Sequence, residues 1–199
     1  MKYFPVFLDL RRKRILVIGG GPVAAQKIRD LKGSGAKVTV IAKKALPGIK
    51  HLKRSFRPSD LEDQDLVFCA TEDSAFNHRL SALCRERHLW VNVADKPKHC
   101  SFILPAVFRR GEIVAAFSTG GGSPAMAKFL RKKLEENIGP ETGRLFDILK
   151  SIRGQLTQID LKGRRKILQK ILSEESLSQI RRGDISLVRK NLKDLLKGT

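Results

Sequence analysis

Gly19, Gly21 and Ala24 fall on the G-x-G-x-x-G/A spacing that cradles the pyrophosphate of a dinucleotide. The first glycine permits a tight turn, Gly21 lets phosphates approach the backbone, and small Ala24 lets the next helix lie close to its strand. Pro22 takes a favoured first-turn position with Val23 after it, and the helix start leaves backbone N–H groups free for an anion. The alternative is a doubly wound fold in which these glycines only shape a turn. Asp95 is a second group with chemistry in reach. A carboxylate there is a general base if it meets a substrate proton, or else a turn residue bonding its own backbone ahead of Pro97. A third is the run Ser118, Thr119, Gly120, Gly121, Gly122 and Ser123, read as an anion cradle or as a flexible turn with a capping serine.

Positioning these groups requires an open parallel sheet. Residues 15–18 (ILVI), 37–41 (KVTVI), 66–70 (LVFCA) and 89–94 (LWVNVA) are short apolar runs, as expected of strands buried on both faces. Helical patterns over 22–32 and 75–88 alternate with them, which predicts a Rossmann-type α/β module. Ligands of such sheets bind beyond the carboxyl ends of the strands. That edge would gather Gly19 to Val23, Ala42 and Lys43 after Ile41, Thr71 to Asp73, and Asp95. The acid that normally bonds the ribose of NAD is missing there, since Ile41 is followed by Ala42, Lys43 and Lys44. The lysines either favour a 2′-phosphate or are simply solvated, so NAD and NADP both stay open.

Beyond residue 100 the pattern changes. Residues 101–108 and 112–118 are extended runs around Arg109, Arg110 and Gly111, which read as a short hairpin connection. Ser123 and Pro124 open a helix over 125–137 with Met126, Phe129, Leu130 and Leu134 as its inner face. Gly139 and Pro140 end it, and the rest is helical: 145–149, 166–172, 176–180 and 185–196. The expected division is residues 1–100, a dinucleotide-binding domain; 101–141, a hairpin and helix; and 142–199, a helical domain.

Composition narrows the classes. An apolar content of 41% supports an ordinary core in this 199-residue chain. No apolar run approaches the roughly 20 residues that span a bilayer, and no leader-like segment is seen, so a cytoplasmic protein without membrane attachment is expected. Three cysteines without C-x-x-C spacing argue against a disulfide framework or zinc site, and Cys69 and Cys84 read as small core residues. The four histidines are scattered singly, so no bound structural metal is expected. A net charge of +20 implies an acidic partner (nucleic acid, headgroups or a polycarboxylate ligand) or else only a solvated face. With 6% aromatics, none interleaved with basic runs, the chain lacks the stacking chemistry of a nucleic-acid binder.

Four motifs in order, YFPVFLDL near the start, VIGGGPVAAQK, VNVADKP…CSFILPA and FSTGGGSPAMAKFLRKKLE, closely resemble the N-terminal module of siroheme synthases. The resemblance spans residues 1 to about 150, and the joint occurrence of the motifs is far more specific than any one of them. That module is the precorrin-2 dehydrogenase/sirohydrochlorin ferrochelatase. The resemblance implies NAD-dependent oxidation of precorrin-2 to sirohydrochlorin, often followed by insertion of Fe²⁺ as a substrate. It also implies a homodimer built through the hairpin and following helix. By motif, Asp95 matches the family's catalytic aspartate, and Gly19, Gly21, Pro22 and Val23 its pyrophosphate loop. Ile41, Ala42 and Lys43 match the strand end near the adenosine ribose, and Ser118 to Ser123 the loop bordering the tetrapyrrole. Lys98 and His99 are more basic than the pattern leads one to expect, which bears on local substrate contacts. The sequence ends at Thr199, so the methyltransferase half of the fused enzymes is expected to be absent. The alternatives are a dehydrogenase without chelatase activity and a basic NAD-sensing regulator of nucleic acid.

Overall fold

The computed structural model describes residues 2–44, 46–94 and 96–197. It divides into two compact units, Met1–Leu104 and Pro105–Thr199. In the first, β1 (Arg14–Ile18), β2 (Lys37–Ile41), β3 (Leu66–Cys69) and β4 (Trp90–Val93) form one parallel sheet in the order β2-β1-β3-β4. Val17 pairs with Val40 on one side and Phe68 on the other. Alternation explains why these strands read as continuous apolar runs. Ile15 and Val17 face one core with Ala24 and Leu31 of α1 (Pro22–Leu31). Leu16 and Ile18 face the other with Leu80 and Cys84 of α2 (Ser74–Glu86). Cys69 and Cys84 are both buried.

Two irregular segments run beside the outer strands. Leu52 accepts from Ala42 N at 3.1 Å and donates to Val40 O at 2.8 Å, alongside β2. Residues 100–102 lie along β4. Ser101 N donates to Val91 O at 2.8 Å, the Ser101 hydroxyl accepts from Val91 N at 3.3 Å, and the Cys100 sulfur accepts from Val93 N at 3.2 Å.

The second unit opens with an antiparallel hairpin, β5 (Ala106–Arg110) and β6 (Ile113–Phe117). Its connection is the two-residue turn Gly111-Glu112, not the Arg109-Arg110-Gly111 turn expected from sequence. Arg110 pairs with Ile113, and Gly111 supplies the positive φ of 59° that such turns need. The strand also starts later than expected, because Pro105 has no N–H to give a ladder. Six helices follow: α3 (Pro124–Asn137), α4 (Pro140–Ser151), α5 (Arg153–Gln158), α6 (Leu161–Ile171), α7 (Glu174–Arg182) and α8 (Ile185–Lys197). Leu145, Ile148, Leu156, Ile167, Ile171, Ile180, Val188 and Leu192 close the core of α4 to α8.

The α3 face expected to be internal is largely exposed, and of its four residues Leu134 alone is half-buried. Ala127 is the buried residue of that helix, while Met126 and Phe129 are about half exposed and Leu130 is also exposed.

Glu141, buried at the start of α4, accepts from the exposed Arg181 of α7 at 2.7 Å. That guanidinium holds the carboxyl below the usual glutamate value. The depressed value means the contact stabilises the folded unit above an unfolded glutamate pKa of about 4.3 and fades as pH falls through the folded value. Glu141→Gln is expected to flatten the fall of melting temperature with pH below about 4.3. Identical acid slopes for variant and wild type would refute this.

Candidate functional site

The strand order reverses direction between β1 and β3: β1 leads to β2 on one side, β3 to β4 on the other. Such a switch opens a crevice at the carboxyl edge, where α/β sheets take their ligands. Gly19 follows β1 at that point with φ of 137°, its α-carbon pressed against the backbone of Ala70. A Cβ built on Gly19 would lie 2.2 Å from Ala70 O, so only glycine allows the two strand ends to meet. Gly20 packs against Ala42, at 3.3 Å for an added Cβ. Gly21 is the N-cap of α1, makes no side-chain cap, and has no atom within 4 Å of an added Cβ. Pro22 at N1 offers no N–H, and Val23 is partly exposed behind it. The first turn of α1 therefore presents uncapped backbone donors beside open space, the arrangement that holds phosphate groups.

The other side of the crevice is built by a group the sequence did not flag. Asn77, buried on α2, accepts from Thr71 Oγ1 at 2.5 Å and from Cys69 Sγ at 2.9 Å, and donates to Thr71 O at 2.9 Å. It ties the loop after β3 to the helix that follows, while Asp73 caps that helix by accepting from Phe76 N at 2.9 Å. Burial pushes the Cys69 thiol up to about 12, so it serves as a hydrogen-bond donor here and not as a nucleophile. The available signal was an asparagine within the buried stripe of α2 that also holds Leu80, Ser81 and Cys84. Asn77→Ala is expected to weaken dinucleotide binding about tenfold and to lower stability by about 1–3 kcal/mol, since three hydrogen-bonding groups lose their partner. Titration and melting of the variant test both; wild-type affinity would remove the Thr71 loop from the site.

Ile41 and Ala42 stand at the same edge, but their side chains are buried in the two cores, leaving only backbone for a ligand. Lys43 and Lys44 are exposed. Asp95, the residue expected to act as base, lies outside the described residues; β4 ends at Val93, two positions before it.

Ser118, Thr119, Gly120, Gly121 and Ser123 belong to the second unit, between β6 and α3. Thr119 Oγ1 accepts from Ser123 N at 2.9 Å, Ser118 Oγ accepts from Gly120 N at 3.1 Å, and Ser123 Oγ caps α3 by accepting from Met126 N at 3.2 Å. Gly120 and Gly121 carry positive φ. The hydroxyls are thus committed to shaping an exposed turn, whose backbone remains accessible.

A protein family described as "Putative NAD(P)-binding" matches residues 6–106, the strands and loops that frame this crevice. The chain belongs to this NAD(P)-binding family. Beyond the family match, it is 37% identical to a siroheme synthase of Sodalis glossinidius over 98% of its own length and 44% of that protein. It is 41% identical to a siroheme synthase of Thioalkalivibrio sulfidiphilus over 77% of its own length and 33% of that protein. The chain thus spans less than half the length of these curated relatives. Among solved structures, SirC, a precorrin-2 dehydrogenase, superposes with a TM-score of 0.80 over 99% of this chain and all of that one, at 22% identity. That likeness extends the shared fold of this NAD(P)-binding family member through its helical unit. Among the described residues no helix is long and apolar enough to cross a membrane, and no three His, Cys, Asp or Glu side chains converge as a metal site.

Proposed function

We propose that the chain oxidises precorrin-2 to sirohydrochlorin with NAD as acceptor and then inserts Fe²⁺, as a substrate, to give siroheme. The observation that carries the reading is the crevice at the β1/β3 switch, in a chain whose relatives are named siroheme synthase. Its residues fit a dinucleotide: Gly19 lets the strand ends meet, Gly21 leaves the phosphate approach open, and the first turn of α1 supplies free N–H donors. When bound, the nicotinamide supplies hydride acceptance. This chain's residues do the rest. The glycine loop and the Thr71 loop orient the dinucleotide, and Asp95 takes the proton released as the new double bond forms. The same carboxylate accepts pyrrole protons as iron enters the macrocycle. The turn from Ser118 to Ser123 borders the tetrapyrrole, whose carboxylates account for part of the net charge of +20.

Lys43 and Lys44, exposed where an acid usually bonds the ribose, make NADP the alternative acceptor, and initial rates with the two nucleotides decide between them. The decisive experiment supplies purified protein with precorrin-2 and NAD, and then with Fe²⁺. NADH formation is expected in the first step and the spectrum of siroheme in the second. No NADH overturns the reading. NADH without siroheme reduces it to a dehydrogenase alone.

We also assign residues 101–141 to homodimerisation. The half-exposed Met126 and Phe129, together with Leu130 and Val107, leave an apolar face on the hairpin and α3 that a second copy would cover. Phe129→Glu is expected to give monomers in sedimentation experiments where the wild type sediments as a dimer; a monomeric wild type refutes the assignment. We place the reaction in the cytoplasm, in keeping with three cysteines that are all free thiols.

A further inference from the structure

The four histidines are dispersed in sequence, yet the fold brings two of them side by side. His78 stands on α2, and His99 ends the short 3-10 turn Pro97–His99. Their ring centroids are 4.8 Å apart, edge to face at 75°. Neither ring enters a hydrogen bond among the described residues, so the ring nitrogens are free. The supports are held in place. Ser81, three residues along α2 from His78, donates its hydroxyl to His99 O at 2.6 Å, and Arg85 donates to Lys98 O at 3.0 Å. His78 is exposed and His99 half-exposed, so an ion reaches both from solvent.

We propose that His78 and His99 together bind a divalent transition-metal ion, with water completing its coordination. Neutral imidazole is the commonest side-chain ligand for such ions, and a pair without a carboxylate disfavours Mg²⁺ and Ca²⁺, which take oxygen. Rotation about the side-chain bonds turns the edge-to-face pair so that one nitrogen of each ring meets a shared ion at about 2.0–2.1 Å. Two neutral ligands hold an ion loosely. Arg85 and Lys98, cations on the same two elements, loosen it further.

A labile site suits an ion in transit more than one kept for structure. The turn bearing His99 begins two residues in sequence after Asp95, the proposed proton acceptor. The pair would therefore serve as a staging position from which Fe²⁺ is handed to the macrocycle, a role that rests on the chelatase reading, whereas the metal site itself does not.

The test is calorimetric titration of the full chain with Zn²⁺ and with Co²⁺, alongside His78→Ala, His99→Ala, the double variant and Cys100→Ser. One ion per chain with micromolar affinity is expected. Each single histidine variant should lose about tenfold or more, the double variant should lose little beyond that, and Cys100→Ser should bind as wild type. The Co²⁺ spectrum should lack thiolate charge-transfer bands. Unchanged affinity in either single histidine variant, no binding by the wild type, or loss in Cys100→Ser overturns the proposal. In a chelatase assay the histidine variants should raise KM for Fe²⁺ and leave kcat unchanged. Metal binding that depends on both histidines in a protein without chelatase turnover would keep the site and retire only its staging role.

Discussion

Gly19→Ala is expected to abolish dinucleotide binding and to destabilise the first unit by several kcal/mol. The added methyl would lie 2.2 Å from Ala70 O and 2.7 Å from its carbonyl carbon, both backbone atoms. Neither can retreat without disturbing the β1–β3 ladder, which continues past the strand ends in the bond from Ala70 N to Ile18 O at 2.8 Å. The residue also sits at φ of 137°, a conformation that costs a residue with a Cβ about 1–3 kcal/mol before any clash. The informative partner is Gly21→Ala. At φ of −92°, with no atom within 4 Å of an added Cβ, it should melt with the wild type. Its methyl would still occupy the space through which phosphates approach, so binding should weaken about tenfold. Thermal melts and nucleotide titrations of the two variants separate the strand-joining glycine from the ligand-facing one. Equal melting temperatures for Gly19→Ala and wild type would contradict the packing argument.

Asp95→Ala should lower kcat for oxidation by about 10²–10⁴, the usual contribution of a positioned base, and abolish iron insertion. Nucleotide affinity should hold, because the proposed phosphate cradle is made by Gly19, Gly21 and the start of α1. Asp95→Asn keeps the shape and removes the basic oxygen, so it should share the kinetic loss without a change in melting temperature. If Asp95 were only a turn residue bonding its own backbone, the asparagine variant would turn over normally, since asparagine forms the same turn. Wild-type rates for both reactions in the alanine variant end the assignment.

The sheet was legible because its strands are buried on both faces, which writes itself into sequence as unbroken apolar runs. The carboxyl edge followed from strand polarity alone. Elsewhere local pattern misled for identifiable reasons. Arg109 and Arg110 look like turn residues, but they close β5, and the polar positions of a two-residue connection are Gly111 and Glu112. The apolar residues of α3 are spaced as a stripe, yet periodicity cannot say what covers it, and here Phe129 is half exposed. The short α5 leaves no mark in the sequence, because nothing in composition shows the break at Ile152. Asn77 and the pair of His78 with His99 depend on adjacency across the fold, which spacing along the chain cannot report.

The segments flanking β2 and β4 bear on how copies of this chain can meet. An outer strand with unpaired N–H and C=O groups is a template on which another molecule adds a strand, and parallel sheets with short strands are exposed to that hazard at both margins. Here Leu52 occupies the template beside β2, and a hydroxyl and a thiol answer the amides of Val91 and Val93 beside β4. The amides of Val91 and Val93 are thereby met by side chains, which do not propagate a ladder, whereas β2 is met by the backbone of Leu52. Strand addition by another molecule is thus met at these positions of both outer strands by segments of the chain itself.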